Sequence, residues 1–222
     1  MHKLTRTAAP NCVKNFRHGR DQWSAVDSAD KTEIWSQLDA MQQKRCAYCE
    51  RSLQANKKHI EHFRQRGRFL EGTFDWNNLF GSCDNAGSCG KHKDQCGNYQ
   101  YQDLIKPDVD DPEHFFIFMV DGTIKVKSNL TPFDKHRANE TLRVLNLNDH
   151  YGPLRQMRES AVKSYIDTVV KDLFAFGEIV DSSELVALFQ EKWQKELQAI
   201  QNQPFSTALK HILTYSSEMA LS

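Results

Sequence analysis

No apolar run in this 222-residue chain approaches the roughly 18 residues that a membrane-spanning helix requires. Residues 1–11 also lack the uninterrupted apolar stretch of a signal peptide, so a cytoplasmic protein with no membrane partner is expected. Net charge is absent as well, because 29 basic side chains balance 29 acidic ones. That balance excludes a uniformly basic nucleic-acid binder but not a local cationic patch, since distribution matters more than the sum. Proline and glycine are sparse, with 6 and 10 residues, and no internal repeat or low-complexity tract occurs, so collagen-like and broadly disordered chains fall away. With 39% hydrophobic residues a folded core is affordable, as one large domain or as a small domain with a helical extension.

Cysteine and local charge are what the chain does have. Five of its six cysteines, Cys46, Cys49, Cys83, Cys89 and Cys96, fall in one 51-residue window, with Cys12 outside it. In a reducing compartment, metal ligation is the better reading of such clustering than disulfide bonding. The same region is basic: from Lys44 to Arg68 there are eight basic residues against two acidic ones.

Residues 1–26 show little periodicity and read as an irregular arm that lies against a partner. Asp27 or Ser28 caps a helix bearing Ile34, Leu38 and Met41, which delivers the chain to Cys46. Residues 46–96 are too poor in aliphatic side chains to fold on hydrophobic burial alone. Two β-prone runs, Phe115–Val120 and Thr123–Lys127, meet at Asp121-Gly122, a strong hairpin signal. Beyond Pro132 the pattern is helical: residues 134–146, then 153–176 with Leu154, Met157, Ala161, Ile166, Val169, Val170 and Leu173 as its apolar face. A helix over 182–201 follows, capped by Asp181 with Glu184 and bearing Leu185, Leu188, Phe189, Trp193, Leu197 and Ile200. Pro204 opens the last helix, with Leu209, Ile212 and Leu213. The expected class is α+β, mostly α, in three segments: an arm and helix (1–45), a metal-organised module with the following hairpin (46–130), and a helical region (131–222).

Two layers of chemistry overlap between residues 46 and 96. Cys46-Ala-Tyr-Cys49 has the spacing at which two thiolates grip one Zn²⁺ from a tight turn, and Cys83 with Cys89 closes a tetrahedral shell. The second pair is widely spaced, so Cys96 remains a substitute for Cys89. A closed four-thiolate shell keeps no open position and is structural. The second layer is His59-Ile-Glu61-His62, then Asp75-Trp-Asn-Asn78-Leu79, then Cys89-Gly-Lys-His92-Lys93. Phosphodiester hydrolysis needs a base for water, a cation at the scissile phosphate and donors that hold it. Histidine suits the base, carboxylate and imidazole suit a divalent ion, and a loop asparagine can bond backbone groups to fix their separation.

This ordered set resembles the HNH endonucleases, in which a β-hairpin and one helix grip a catalytic metal, a ββα-metal core with a zinc knuckle in many members. The resemblance implies Glu61 as a ligand to Mg²⁺ or Mn²⁺, His62 as general base, Asn78 as the loop asparagine and His92 as the second ligand. His59 is a lesser candidate for a ligand or phosphate contact, on the face opposite to His62 if this stretch is a strand. Arg64, Arg66 and Arg68 alternate along one potential face and, with Lys93, are candidate nucleic-acid contacts. Phe63, Phe69, Phe74 and Trp76 read as packing around the hairpin. Two departures stand out: Glu61 replaces the family's usual Asp, and an insertion, Asp84–Ser88, separates the second cysteine pair.

A longer likeness runs through His62-Phe-Arg-Gln-Arg66, Thr73-Phe-Asp-Trp-Asn-Asn-Leu-Phe-Gly-Ser-Cys83, Lys93-Asp94 and Leu145-Asn-Leu-Asn148. It is similar to the PtuB-type nuclease subunits of Septu anti-phage systems, including those attached to retrons. That resemblance implies nucleic acid, DNA or RNA, as substrate and a PtuA-like ABC/SMC-type ATPase as partner. For retron-attached members it also implies a reverse transcriptase and its RNA–DNA product. Two rival readings stay open: a zinc-ribbon module that binds nucleic acid or protein without cutting, and a stand-alone restriction-type DNase.

Overall fold

Asp27 starts the first helix, α1 (Ser28–Gln42), by a reciprocal cap: its carboxylate accepts from the Ala29 and Asp30 amides, and the Asp30 carboxylate accepts from the Asp27 amide. Ile34, Leu38 and Met41 are buried as their spacing requires. The computed structural model describes residues 1–150, 152–178 and 183–220. It is a mixed α+β chain, 51% helical, with two small antiparallel sheets of two strands each. No helix among the described residues is long and apolar enough to cross a membrane.

The first sheet pairs β1 (Lys58–His62) with β2 (Leu79–Cys83), Lys58 opposite Cys83 and His62 opposite Leu79. A 16-residue connection (63–78) joins them and carries tight turns at Leu70–Gly72 and Trp76–Asn78. α2 (Cys89–Gln95) follows and packs on β2, completing a β-β-α unit. Gln42, the last residue of α1, is buried and clamps β2 from the side: its amide donates to Gly81 O at 2.9 Å and accepts from Gly81 N at 2.7 Å.

A short helix, α3 (Pro112–Phe115), leads into the second hairpin, β3 (Phe116–Phe118) and β4 (Ile124–Val126), in the place expected but with shorter strands. Gly122 turns it with φ +77°, and a Cβ there would meet Arg155 O at 2.3 Å, so both conformation and space demand glycine. α4 (Pro132–Val144) is capped by Thr131, two residues ahead of the expected start. α5 (Pro153–Tyr165), a π turn (Ile166–Val170) and α6 (Lys171–Glu178) together form the long helix expected from 153. Its buried face runs through Leu154, Arg158, Val162, Tyr165, Val170 and Leu173. Met157, expected in that face, sits one position off it and is exposed. α7 (Ser183–Ile200) and α8 (Ser206–Ala220) close the chain. On α7 Ile200 is buried at 2% exposure, while Leu188 is 49% exposed. The expected cap falls on Asp181, which lies outside the described residues.

The three expected segments share one core. Residues 1–26 are irregular apart from turns at Asn11–Asn15 and Trp23–Ala25, but they are not a loose arm: Met1 and Leu4 are buried with the apolar residues of α8. Arg6 caps the carbonyls of Trp76 and Leu79 at 2.8 and 2.7 Å and pairs with Asp108 at 2.7 Å. Its buried residues are thus tied to the rest of the chain. At the other end, Glu50 is buried, accepts from Thr207 N at 2.9 Å and Ser206 Oγ at 3.0 Å at the start of α8, and pairs with the Met1 ammonium. Burial opposes its ionisation, but the Met1 ammonium, the His2 imidazole and the Thr207 amide hold the carboxyl well below its usual range.

Replacing Glu50 by Ala strands these donors in the core and is expected to lower unfolding free energy by roughly 3–5 kcal/mol, read by urea denaturation. Because the folded carboxyl is held below its unfolded value, the stabilisation is present above the unfolded pKa and is lost as pH falls through the carboxylate range. Glu50→Ala removes that part of the acid sensitivity.

Candidate active site and metal centre

The knuckle forms where α1 ends. Gln43 and Lys44 take left-handed φ values of 53° and 57°, reversing the chain into Cys46. The Ala47 amide then pins the turn to Gly81 O at 3.0 Å. Cys83 closes β2, and Cys89 opens α2 with φ +57°, its amide held by Leu145 O at 2.8 Å. That unusual backbone turns the Cys89 thiol back toward the others. The four Sγ atoms of Cys46, Cys49, Cys83 and Cys89 lie within 4.8 Å of one another, all buried. Tetrahedral Zn–S bonds of 2.3 Å would put sulfurs about 3.8 Å apart, and Cys49 and Cys83 stand at 3.9 Å. Four cysteines are therefore close enough to hold a metal such as zinc. The Cys83 amide donates to Cys46 Sγ at 3.4 Å. Burial opposes a charge on Cys46, yet hydrogen bonds from the other three thiols overcome it and hold this thiol well below its ordinary range. The choice between Cys89 and Cys96 resolves to Cys89, for Cys96 is spent on Lys93 O at 3.3 Å.

Beside this centre, β1 forms one wall of a cavity of about 420 Å³. All five β1 residues, from Lys58 to His62, line it, Glu61 and His62 among them. Trp23, Trp35, Lys58, Arg66 and Lys91 complete its rim. The His62 ring is only 6% exposed and is packed edge-on against Trp23 at 4.5 Å. Its Nε2 lies 3.0 Å from Thr73 O. A carbonyl only accepts, so Nε2 carries the proton and Nδ1 keeps the lone pair. Burial is the main reason the imidazole is pushed down to about 3, with the Arg66 and Lys93 charges adding to it against the Thr73 carbonyl. The ring is neutral at physiological pH.

Asn78 does what a loop asparagine was expected to do. Its Oδ1 accepts from Arg64 N at 2.7 Å, and its Nδ2 donates to Arg64 O at 3.1 Å and Gly72 O at 2.9 Å. These three bonds staple the loop after β1, which holds Thr73 against His62. Asn78 is 1% exposed.

His92 is not among the residues that line the cavity: its Nδ1 lies 2.9 Å from Val144 O at the end of α4, a contact that engages one of its two ring nitrogens. Two expectations need correction. Lys93 is not a surface phosphate contact. It is 1% exposed, pairs with Glu61 Oε1 at 2.8 Å, and donates to His62 O at 3.1 Å and Asp94 Oδ1 at 3.0 Å. The arginine row does not share a strand face, because β1 ends at His62 and the chain turns. Arg64 is held by Asp75 at 3.0 Å, Arg68 reaches Asn98 at 3.4 Å, and only Arg66 faces the cavity. The cations that the motif did not single out are Lys31, Lys58 and Lys91. Lys58 is the one with a local signal: it alternates with Ile60 and His62 along β1.

No protein-family model matches the chain, and no curated protein matches it.

Metal analysis of the purified protein is expected to find one thiolate-bound zinc per chain, retained in Cys96→Ser and lost in Cys89→Ser. Equal retention in both variants would contradict the four-cysteine group. The His62 ring, followed by NMR, is expected to stay neutral down to about pH 4. Its folded pKa lies below the unfolded value of about 6.5, so the unfolded chain binds the extra proton between them. Stability from this group is full above pH 6.5 and falls as pH drops toward 3.

Proposed function

We propose that this chain is an HNH-type, ββα-metal endonuclease that hydrolyses phosphodiester bonds of nucleic acid with a divalent ion, Mg²⁺ or Mn²⁺. The observation that carries the reading is His62: an imidazole whose Nε2 is engaged by Thr73 O and which lines one cavity with Glu61, Lys58, Arg66 and Lys91. In this reading His62 Nδ1 takes the proton of the attacking water. Glu61 presents a carboxylate, held by Lys93 through Oε1, to the cation side of the cavity. A bound divalent ion would supply Lewis-acid stabilisation of the phosphate and the leaving oxygen. Arg66, Lys58 and Lys91 hold the phosphate backbone, and Asn78 keeps the base in register through its loop. The four-cysteine centre takes Zn²⁺, and its closed shell gives it a structural role.

The order β1–β2–α2, with the knuckle packed at the far end of the strands from His62, supports the same assignment, as does the ordered Glu-His, Asn and cysteine pattern. We further propose that the enzyme works in anti-phage defence beside a PtuA-like ABC/SMC-type ATPase. The sequence likeness to Septu nuclease subunits supports that partner.

Nicking of supercoiled plasmid, single-stranded DNA and RNA in Mg²⁺ or Mn²⁺, with and without the neighbouring ATPase, tests the reading. His62→Ala is expected to lower the cutting rate at least about 10²-fold, with zinc content and helicity retained and a lower melting temperature from the lost packing on Trp23 and the lost Thr73 contact. A zinc module that merely binds nucleic acid would show no cutting by either protein, and that result overturns the proposal. Asn78→Ala is expected to lose activity and also stability, by roughly 2–3 kcal/mol, because buried backbone groups lose their partner.

A further inference from the structure

Part of the N-terminal segment stays outside the core. Cys12, Val13 and Val26 are buried, but between 14 and 25 every side chain except Phe16, Asp21 and Trp23 is exposed. Among the described residues, every hydrogen bond made by residues 14–25 ends within residues 11–26. Two rings fasten this loop to the body. Phe16 stacks on Phe74 at 5.3 Å, and Trp23 lies edge-on to His62 at 4.5 Å and against Phe74 at 6.1 Å. Trp23 also lines the cavity, so the loop borders it. Resting on the nuclease reading above, we infer that residues 14–25 form a cationic strap that grips the sugar–phosphate backbone of the nucleic acid whose scissile bond enters the cavity.

Three features carry this. The first is charge. The exposed part of the strap bears Lys14, Arg17, His18 and Arg20, and its one acid, Asp21, is spent inside the loop. The Asp21 carboxylate pairs with Arg20 at 2.7 Å and accepts from the Arg17 amide at 2.8 Å. Lys14 donates to the neutral Asn11 Oδ1 at 3.0 Å, and neither it nor Arg17 has an acidic partner among the described residues. A phosphate can therefore meet both without displacing a carboxylate. The second is place. Arg66 stands 5.7 Å over the Trp23 ring and lines the cavity with Lys31, Lys58 and Lys91. The strap extends that positive lining past Trp23. A cavity of about 420 Å³ encloses only a short piece of strand, so the flanking phosphates lie outside it, where the strap is. The third is construction. Because its hydrogen bonds are its own, the strap can adjust to a strand as a unit without stranding donors in the body. Contacts to phosphates set the register and orientation of a strand and carry no sequence information, which is what a site acting on a phosphodiester requires.

Binding of fluorescein-labelled single-stranded DNA, RNA and duplex DNA to the zinc-loaded full chain, read by anisotropy without added Mg²⁺ or Mn²⁺, tests the strap with no strand cut. The double variant Lys14→Ala, Arg17→Ala is expected to bind the probes about tenfold more weakly than the parent at low salt. The slope of log affinity against log salt is expected to fall by about one for each cation removed. Melting temperature and zinc content stay as in the parent, because both side chains are exposed. Lys135→Ala removes an exposed cation of α4 that does not line the cavity, and is expected to change neither affinity nor slope. Equal weakening by Lys135→Ala reduces the effect to bulk charge and overturns the inference. A parent that binds none of the probes overturns it, and so does unchanged binding in the double variant, which leaves these cations to an acidic protein partner. The two readings fail separately. Binding that depends on Lys14 and Arg17, by a parent that cuts none of the probes once Mn²⁺ is added, would sink the nuclease and leave the grip. Cutting that depends on His62, with binding indifferent to Lys14 and Arg17, would do the reverse.

Discussion

Everything near the cavity is positioned by the convergence of four buried thiols from three separate elements. Cys46 and Cys49 come from the turn after α1, Cys83 from the end of β2 and Cys89 from the start of α2. A metal held there ties the helix that precedes the hairpin, the hairpin itself and the helix that follows it to one point. Structural zinc contributes apparent binding energies of about 10–16 kcal/mol, as large as the net stability of an ordinary domain. Such a fastening is needed where it stands, because residues 46–96 bring few aliphatic side chains to the core. It also explains why β1 and β2 can be joined by a long, irregular loop without losing register.

A second constraint is electrostatic. Glu61 and Lys93 are both nearly inaccessible, and each would be costly to bury alone, so their pairing at 2.8 Å offsets the burial of both. Lys93 spends its other hydrogen bonds on His62 O and Asp94, linking the strand that carries the proposed base to α2. Buried Arg158 plays the matching part in the second half of the molecule, donating to Gly122 O and, at 2.9 Å, to Leu147 O. Charge inside this protein therefore does structural work first, and the cavity inherits its polarity from that arrangement.

The helices and the second hairpin were legible because their signals are local. The cap at Asp27, the prolines at 132 and 153, Asp121-Gly122 and the apolar spacing of the later helices all act within a few residues. Part of the site was legible for the same reason. Cys46 and Cys49 define a turn by themselves, and Glu61-His62 with Asn78 form an ordered pattern whose parts lie near one another in the structure. The N-terminal arm was not legible, because its order comes from Arg6 and Leu4 meeting residues some seventy to a hundred positions away.

What the sequence alone determined is therefore the run of later helices, the cysteine group that can hold a metal and the ordered Glu61-His62 and Asn78 pattern on which the proposed site rests. Tertiary structure decided direction. The pitch of a seven-residue helix turned His92 toward α4 and buried Lys93, and the end of β1 at His62 scattered the arginines. The alternation of that same strand set His59 beside Glu61, and only a glycine at position 90 lets α2 pass so close to both. Residue types and spacings state which chemistry is possible. Only the packing of α2 against β2 and α4 fixes which side chains share a space, because a rotation of one residue about a helix moves a ligand by about 100°.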